Sequence, residues 1–151
     1  MTTEEFYKSI KGKTAAFCGI GSSNLPLIKL FAEHGAIVTA RDRRTEEQLG
    51  NTAKKLKALG VRLITGEGYL DDMGEEIIFR TPGMRYYLPQ LNAARARGAE
   101  VTSEMEVFFD LCPCRIIAVT GSDGKTTTTT VISKILKAAG KSVRVGGNIG
   151  T

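Results

Sequence analysis

The 151-residue chain has no tryptophan, a single histidine and four prolines, and its three cysteines, Cys18, Cys112 and Cys114, are an odd and sparse set. So few cysteines do not make the disulfide framework of a small secreted domain. Cys112-Pro113-Cys114 has one intervening residue where zinc-binding pairs usually have two or more, and His34 is far off in sequence, so neither metal nor redox chemistry is expected there. His34 instead precedes Gly35 at the end of an expected helix, where an imidazole suits the negative end of the helix dipole. No apolar run approaches the roughly 20 residues of a membrane span. The N-terminal MTTEEFYKSIKGK is charged and lacks the apolar stretch of a signal peptide. These absences predict a soluble, cytoplasmic protein with no membrane partner.

What is present is ordinary for a globular chain: 42% apolar and 25% charged residues, with a mean hydropathy of -0.09. Charge is informative once divided along the chain. Residues 1–114 carry 15 Lys or Arg against 15 Asp or Glu, whereas residues 115–151 carry six against one, so the whole excess of +5 lies in the last 37 residues. That bias suits an anionic ligand. It does not indicate nucleic acid, because the basic residues are spread at helical spacing with no interleaved aromatics.

Short β-branched apolar runs alternate with longer helical patterns, as in a parallel sheet covered by helices. Strands are predicted at 14–18, 36–41, 61–64, 76–79, 100–102, 115–120 and 142–145, and helices at 24–34, 45–59, 86–97, 103–111 and 126–139. Gly35, Gly60, Gly98 and Gly140 stop helices. A proline at 113 interrupts the chain between a helix and a new strand, so a domain boundary is expected near 112–114. The fold class predicted is α/β: a Rossmann-like parallel-sheet domain at 1–113, then a strand, helix and strand at 114–151, too little for an independent core.

Two loops carry the chemistry. Gly19-Ile20-Gly21-Ser22-Ser23-Asn24 follows the first strand and is two-thirds of a dinucleotide-binding fingerprint. The first glycine permits a tight turn, and Gly21 lets backbone approach a diphosphate at a helix N-terminus. The third glycine position is Asn24, which weakens the case for NAD. Ser22 and Ser23 offer hydroxyls to a diphosphate, with Asn24 as a competing N-cap. Asp42, about 20 residues on, is placed to accept from ribose hydroxyls. Arg43 and Arg44 suit a phosphate or a base, or simply form a solvated face.

The second loop, Thr120-Gly121-Ser122-Asp123-Gly124-Lys125-Thr126-Thr127, runs from an apolar segment into a helical pattern. That order suits a triphosphate: backbone N–H groups cradle phosphates, the Lys125 ammonium offsets charge, and the Thr126 hydroxyl reaches Mg²⁺. It is shorter than the usual P-loop, since Val119 stands five before Gly124. Lys125 and Thr126 are the candidate catalytic pair, with Gly121, Ser122, Asp123, Gly124 and Thr127 completing the site. Asp123 is expected to point outward or toward the metal's waters, and Thr128 to Thr130 to lie on the helix face.

TGSDGKTT resembles the short P-loop of the Mur ligases, ATP-dependent peptide-bond formers of peptidoglycan synthesis, and of the related folylpolyglutamate synthetases. The later Val145-Gly146-Gly147-Asn148-Ile149-Gly150-Thr151 is similar to the segment after the P-loop helix in the family member that adds D-glutamate to UDP-N-acetylmuramoyl-L-alanine. The GIGSSN loop, Asp42 and Thr81-Pro82-Gly83-Met84 fall where that member has its glycine loop, an acidic nucleotide contact and a Ser-Pro-Gly motif. Ser23-Asn24 stands where the family more often has Thr-Gly, and Thr81 replaces the usual serine.

The resemblance implies a first domain for the UDP part of the muramoyl substrate and a second for ATP and Mg²⁺. Gly21, Ser22 and Ser23 would lie against the diphosphate, and Asp42 with Arg43 or Arg44 near ribose and uracil. Thr81, Pro82 and Gly83 would flank the nucleotide, and Asn148 would reach toward muramoyl-alanine. In the family, ATP converts the alanine carboxylate into an acyl phosphate, which the amine of D-glutamate attacks. The family's further metal ligands and amino-acid-binding domain have no counterpart in these residues, so the chain is read as an N-terminal fragment, inactive alone. The alternative is a nucleotide-binding module, NAD-dependent or regulatory, with no ligase role.

Overall fold

A computed structural model describes residues 1–147. The chain forms two compact units, one spanning Met1–Pro113 and the other beginning at Cys114.

The first unit is a five-stranded, wholly parallel sheet in the order β3-β2-β1-β4-β5. Its strands are β1 Thr14–Cys18, β2 Ile37–Asp42, β3 Arg62–Thr65, β4 Ile77–Arg80 and β5 Glu100–Thr102. The helices of this unit are α1 Thr3–Ile10, α2 Asn24–Glu33, α3 Glu46–Leu49, α4 Asn51–Ala58, α5 Pro89–Ala96 and α6 Glu104–Leu111. Strand β1 is central, and Ala15, Ala16, Phe17 and Cys18 are all inaccessible to solvent. A strand covered on both faces needs apolar residues throughout, not in alternation.

The period of two still sorts its neighbours. Ala15 and Phe17 face the larger core with Ile28, Phe31 and Leu56, whereas Ala16 and Cys18 face Met73, Ile78, Leu91 and Ala94. Burial raises the Cys18 thiol to about 12, leaving it protonated and inert. At the centre of the larger core, the rings of Phe17 and Phe79 stack at 4.4 Å between centroids. Phe31 meets both edge-on at 5.3 and 5.2 Å. At the end of α2, His34 is the C-cap residue and stacks on Tyr7 with centroids 3.6 Å apart.

Three local outcomes differ from the sequence expectation. Helix α1 was not predicted, although Thr2 and Glu5 form a reciprocal capping box and its buried Phe6 and Ile10 lie one turn apart. The single helix expected at 45–59 is broken at Gly50, whose φ of 53° and ψ of -123° no ordinary helix residue shares. The helix expected from residue 86 begins at Pro89, because proline at the first helical position holds Leu88 extended.

The second unit contains α7, Lys125–Ala138. The strand, helix and strand expected there are corrected to a helix flanked by non-ladder segments: residues 115–120 and 142–145 have no strand partner among the described residues. Strand patterning marks which residues favour an extended backbone, but a strand exists only with a hydrogen-bonded neighbour. Ile116, Ile117, Val131, Ile135 and Val145 of this unit stay exposed. Asn148 lies outside the described residues.

The phenylalanine cluster is expected to dominate the stability of the first unit. Replacing Phe79 by alanine should cost about 3 to 5 kcal/mol, read as a lower urea midpoint at unchanged slope.

Candidate functional site

The strands are parallel, so the loops leaving their C-terminal ends share one edge of the sheet. From β1 the chain crosses to β2 and then β3 on one side, and it later places β4 and β5 on the other. Helices α2 and α4 pack on one face, whereas Leu91 and Ala94 of α5 lie in the opposite core. The order reverses between β1 and β4, where open α/β sheets leave a crevice for ligands.

Gly19 begins the loop after β1 with φ +107°, and a Cβ there would lie 2.7 Å from Thr81 Cγ2. Only glycine fits, on conformational and steric grounds alike. The loops at 19–23 and 81–83 are therefore in direct contact across the switch point. Residues 81–84 form a turn in which the Met84 N–H donates to the Thr81 carbonyl at 3.0 Å. Pro82 and Gly83 are exposed on it.

Asn24, at the first position of α2, is wholly buried. Its Nδ2 donates to the carbonyls of Gly19 at 3.0 Å and Cys18 at 3.5 Å, fastening the turn, while its Oδ1 has no partner among the described residues. The N-cap residue Ser23 makes no side-chain cap bond, and Ser22 and Gly21 are exposed. The N–H groups of Ser22, Ser23 and Asn24 carry no hydrogen bond among the described residues. They open the positive end of a 10-residue helix.

Asp42 ends β2 and is buried, but it is not an open acceptor. Its Oδ2 accepts from the Ile20 N–H at 2.7 Å and from Arg44 Nη2 at 2.8 Å, and its Oδ1 accepts from the Arg44 N–H and Nε, both at 2.9 Å. Arg44 Nη2 also donates to the Ile20 carbonyl at 2.8 Å. Burial by itself would raise the Asp42 carboxyl. The Arg44 side-chain bonds, with the N–H groups of Ile20 and Arg44, outweigh it and hold the group below the usual carboxylate range. Asp42 thus ties the glycine loop to β2 through Arg44, while Arg43 is exposed.

Sequence reading missed Arg41. It is 2% exposed, and its guanidinium donates to the carbonyls of Tyr69 and Asp71 at 3.1 and 2.9 Å and pairs with Glu75 at 3.1 Å. It pins the 69–75 segment to the sheet's C-terminal edge. The available signal was an arginine inside an apolar strand pattern, which calls for a buried partner.

In the second unit, Gly124 is the N-cap of α7 in the left-handed region, φ 73°. Lys125 folds back so that its Nζ donates to the carbonyls of Gly121 at 2.6 Å and Ser122 at 2.9 Å. Ser122, Asp123, Thr126 and Thr127 are exposed around the helix start. Thr129 and Thr130 spend their hydroxyls on the carbonyls one turn back, both at 2.8 Å. A glycine-bounded loop, a helix N-terminus and an ammonium over the loop fit a phosphate chain. No group of acidic, histidine and cysteine side chains among the described residues is arranged to hold a metal by itself.

No protein-family profile matches the chain. Among curated proteins it is 53% identical over 147 residues to the UDP-N-acetylmuramoylalanine--D-glutamate ligase of Acetivibrio thermocellus, covering 97% of this chain and 32% of that protein. It is 54% identical over 149 residues to the protein of the same name from Ruminiclostridium cellulolyticum, covering 98% and 32%. Among solved structures, shikimate dehydrogenase from Aquifex aeolicus overlaps 72% of this chain and 51% of its own, at 17% identity and a TM-score of 0.43. The chain spans about one third of the length of the curated relatives it matches. By that sequence identity, sustained over nearly all its residues, the chain belongs to the Mur ligase family, alongside the UDP-N-acetylmuramoylalanine--D-glutamate ligases.

Proposed function

We propose that the chain is the N-terminal portion of a cytoplasmic, ATP-dependent ligase of peptidoglycan synthesis that joins D-glutamate to UDP-N-acetylmuramoyl-L-alanine. Residues 1–113 are assigned to the uridine diphosphate substrate and residues 114–151 to the start of the ATP-binding domain. One observation carries the reading: the Gly19 loop, the Asp42–Arg44 clasp and the Thr81 turn converge on the switch-point edge, in a chain half identical to ligases of that name.

In this reading the free N–H groups of Ser22 and Ser23, with their hydroxyls, would receive the diphosphate. Arg44 is half exposed and already aligned by Asp42, so it would offer an oriented guanidinium to the nucleotide without ordering a long side chain anew. Asp42 would act mainly through Arg44 and Ile20, because a ribose hydroxyl has to compete with four donors. Thr81, Pro82 and Gly83 would form the opposite lip, and Asn148 is assigned to the muramoyl-alanine end.

ATP, when bound, supplies the phosphoryl group that turns a carboxylate, a poor acyl donor, into a reactive one. Lys125 would exchange the carbonyls of Gly121 and Ser122 for phosphate oxygens, with the exposed hydroxyl of Thr126 on the Mg²⁺ side and Thr127 beside it. Gly121, Ser122, Asp123 and Gly124 would form the cradle. The D-glutamate site is assigned to the unmatched two thirds of the relatives.

Calorimetric titration of the chain should show UDP and UDP-N-acetylmuramoyl-alanine binding in preference to NADH. Ser22→Ala with Ser23→Ala should weaken UDP about tenfold, the loss expected from roughly one charge-assisted hydrogen bond. Preference for NADH would overturn the uridine assignment. The 151-residue chain alone should release no phosphate from ATP with both substrates present beyond a Lys125→Ala control.

The clasp also has a pH signature. Because the folded Asp42 carboxyl titrates below its ordinary value of about 4, its stabilisation is complete above that value and is lost as pH falls through the folded one. Asp42→Asn should therefore lower the melting temperature at neutral pH and make its fall below pH 4 shallower.

A further inference from the structure

Dividing charge at residue 114 conceals a second basic segment. Residues 77–99, which run through β4 and α5, contain Arg80, Arg85, Arg95 and Arg97 and no aspartate or glutamate. Arg97 is occupied by the Met73 carbonyl, and Arg85 is exposed. Arg80 and Arg95 instead share one aromatic ring. Their guanidinium carbons lie 5.4 and 4.0 Å from the centroid of Tyr86.

Neither arginine has a carboxylate partner among the described residues, in contrast to Arg41 and Arg44. Arg95 Nη1 donates to the Tyr86 carbonyl at 2.9 Å and to Asn92 Oδ1 at 3.0 Å. Arg95 Nη2 and Arg80 Nε are buried donors with no acceptor among the described residues. Two like charges held on one ring, with buried N–H groups unsatisfied, are costly unless an anion joins them. All four basic residues are arginines, whose planar fork suits two-point contact with an oxyanion. The place is also marked: Arg80 is the last residue of β4, paired in register with Cys18, and Thr81 follows it against Gly19.

We propose that Arg80 and Arg95, held by Tyr86, form a second oxyanion site on the β4–α5 side of the sheet's C-terminal edge, taking a phosphate or pyrophosphate group. The site stands on this cluster and does not require the uridine assignment.

The test is a titration of the uniformly ¹⁵N-labelled, full 151-residue chain with inorganic pyrophosphate, following the arginine side-chain Nε–H resonances. Saturable shifts at Arg80 and Arg95 are expected, and Arg80→Gln or Arg95→Gln should weaken pyrophosphate about tenfold. Arg80→Lys and Arg95→Lys should recover part of that loss. Arg62→Gln, at the exposed start of β3 on the opposite edge of the sheet, should leave pyrophosphate affinity unchanged. Failure of the two resonances to move, or equal losses in Arg62→Gln, would overturn the proposal. The wild-type resonances decide the question even where a glutamine variant fails to fold.

A second arm adds saturating UDP. Displacement of pyrophosphate identifies the nucleotide's own phosphates as the occupant, and simultaneous binding identifies a separate anion; both support the site. If UDP fails to bind the wild-type chain, the uridine assignment falls while the pyrophosphate result stands. If UDP binds but the arginines do not respond to pyrophosphate, only this inference falls.

Discussion

The upper edge of the sheet depends on the lack of room beside Gly19. Its positive φ and the Thr81 methyl 2.7 Å from where a Cβ would sit force the β1 and β4 loops into contact at the point where strand order reverses. A side chain there has to displace Thr81 and, with it, the 81–84 turn. The close approach also explains why Asn24 is tolerated where the dinucleotide fingerprint has glycine. The position lies at the helix start, and Asn24 uses its amide to hold the Gly19 and Cys18 carbonyls. A fingerprint read as letters treats this as a defect, whereas the geometry makes it a fastening.

Arginines at this edge divide by what neutralises them. Arg41 is buried and matched by Glu75 and loop carbonyls, so it positions structure. Arg44 is matched by Asp42 but half exposed, so it is both oriented and reachable. Arg80 and Arg95 lean on an aromatic ring without a carboxylate. A guanidinium keeps its charge under all ordinary conditions, so the difference lies in its partners and not its protonation. A guanidinium without a carboxylate keeps its full charge uncompensated for an incoming oxyanion, whereas Arg44 has only the part of its fork that Asp42 leaves exposed.

The parallel sheet was legible because alternating apolar runs and helical stretches reflect a backbone requirement. All five strands of the first unit fall within about one residue of their expected positions, inside the usual uncertainty of element ends. Helix α1 was hidden by its charge, though Thr2 and Glu5 carried its capping signal. The break at Gly50 was hidden because helical periodicity runs on from Leu49 to Leu56. Residues 115–120 show the opposite error: the composition of a strand, with no partner for its backbone among the described residues. In the candidate site, the glycine loops were visible as motifs. The saturation of Asp42 and the Arg80–Tyr86–Arg95 cluster were not, since both depend on which residues the sheet brings side by side. Summing charge over a long segment hid the cluster further, because the acids that balance it lie elsewhere in the chain.

The two glycine loops look alike in sequence but differ in what an anion has to displace. At the start of α2, the Gly19 turn is held by groups beneath it: Asn24 on the carbonyl side, and Asp42 on the Ile20 N–H. The Ser22 and Ser23 N–H groups and hydroxyls take no part in that support, so a ligand received there would pay little to order the loop. At the start of α7, the most strongly charged donor is spent on the loop itself, with Lys125 bonded to two carbonyls. An anion there has to replace those bonds before it gains any from the ammonium, and its apparent affinity falls by the fraction of time Lys125 is released. A phosphate contact worth the same in isolation would therefore be worth less at the second loop than at the first. The distinction arises from hydrogen-bond partners that the shared glycines do not encode.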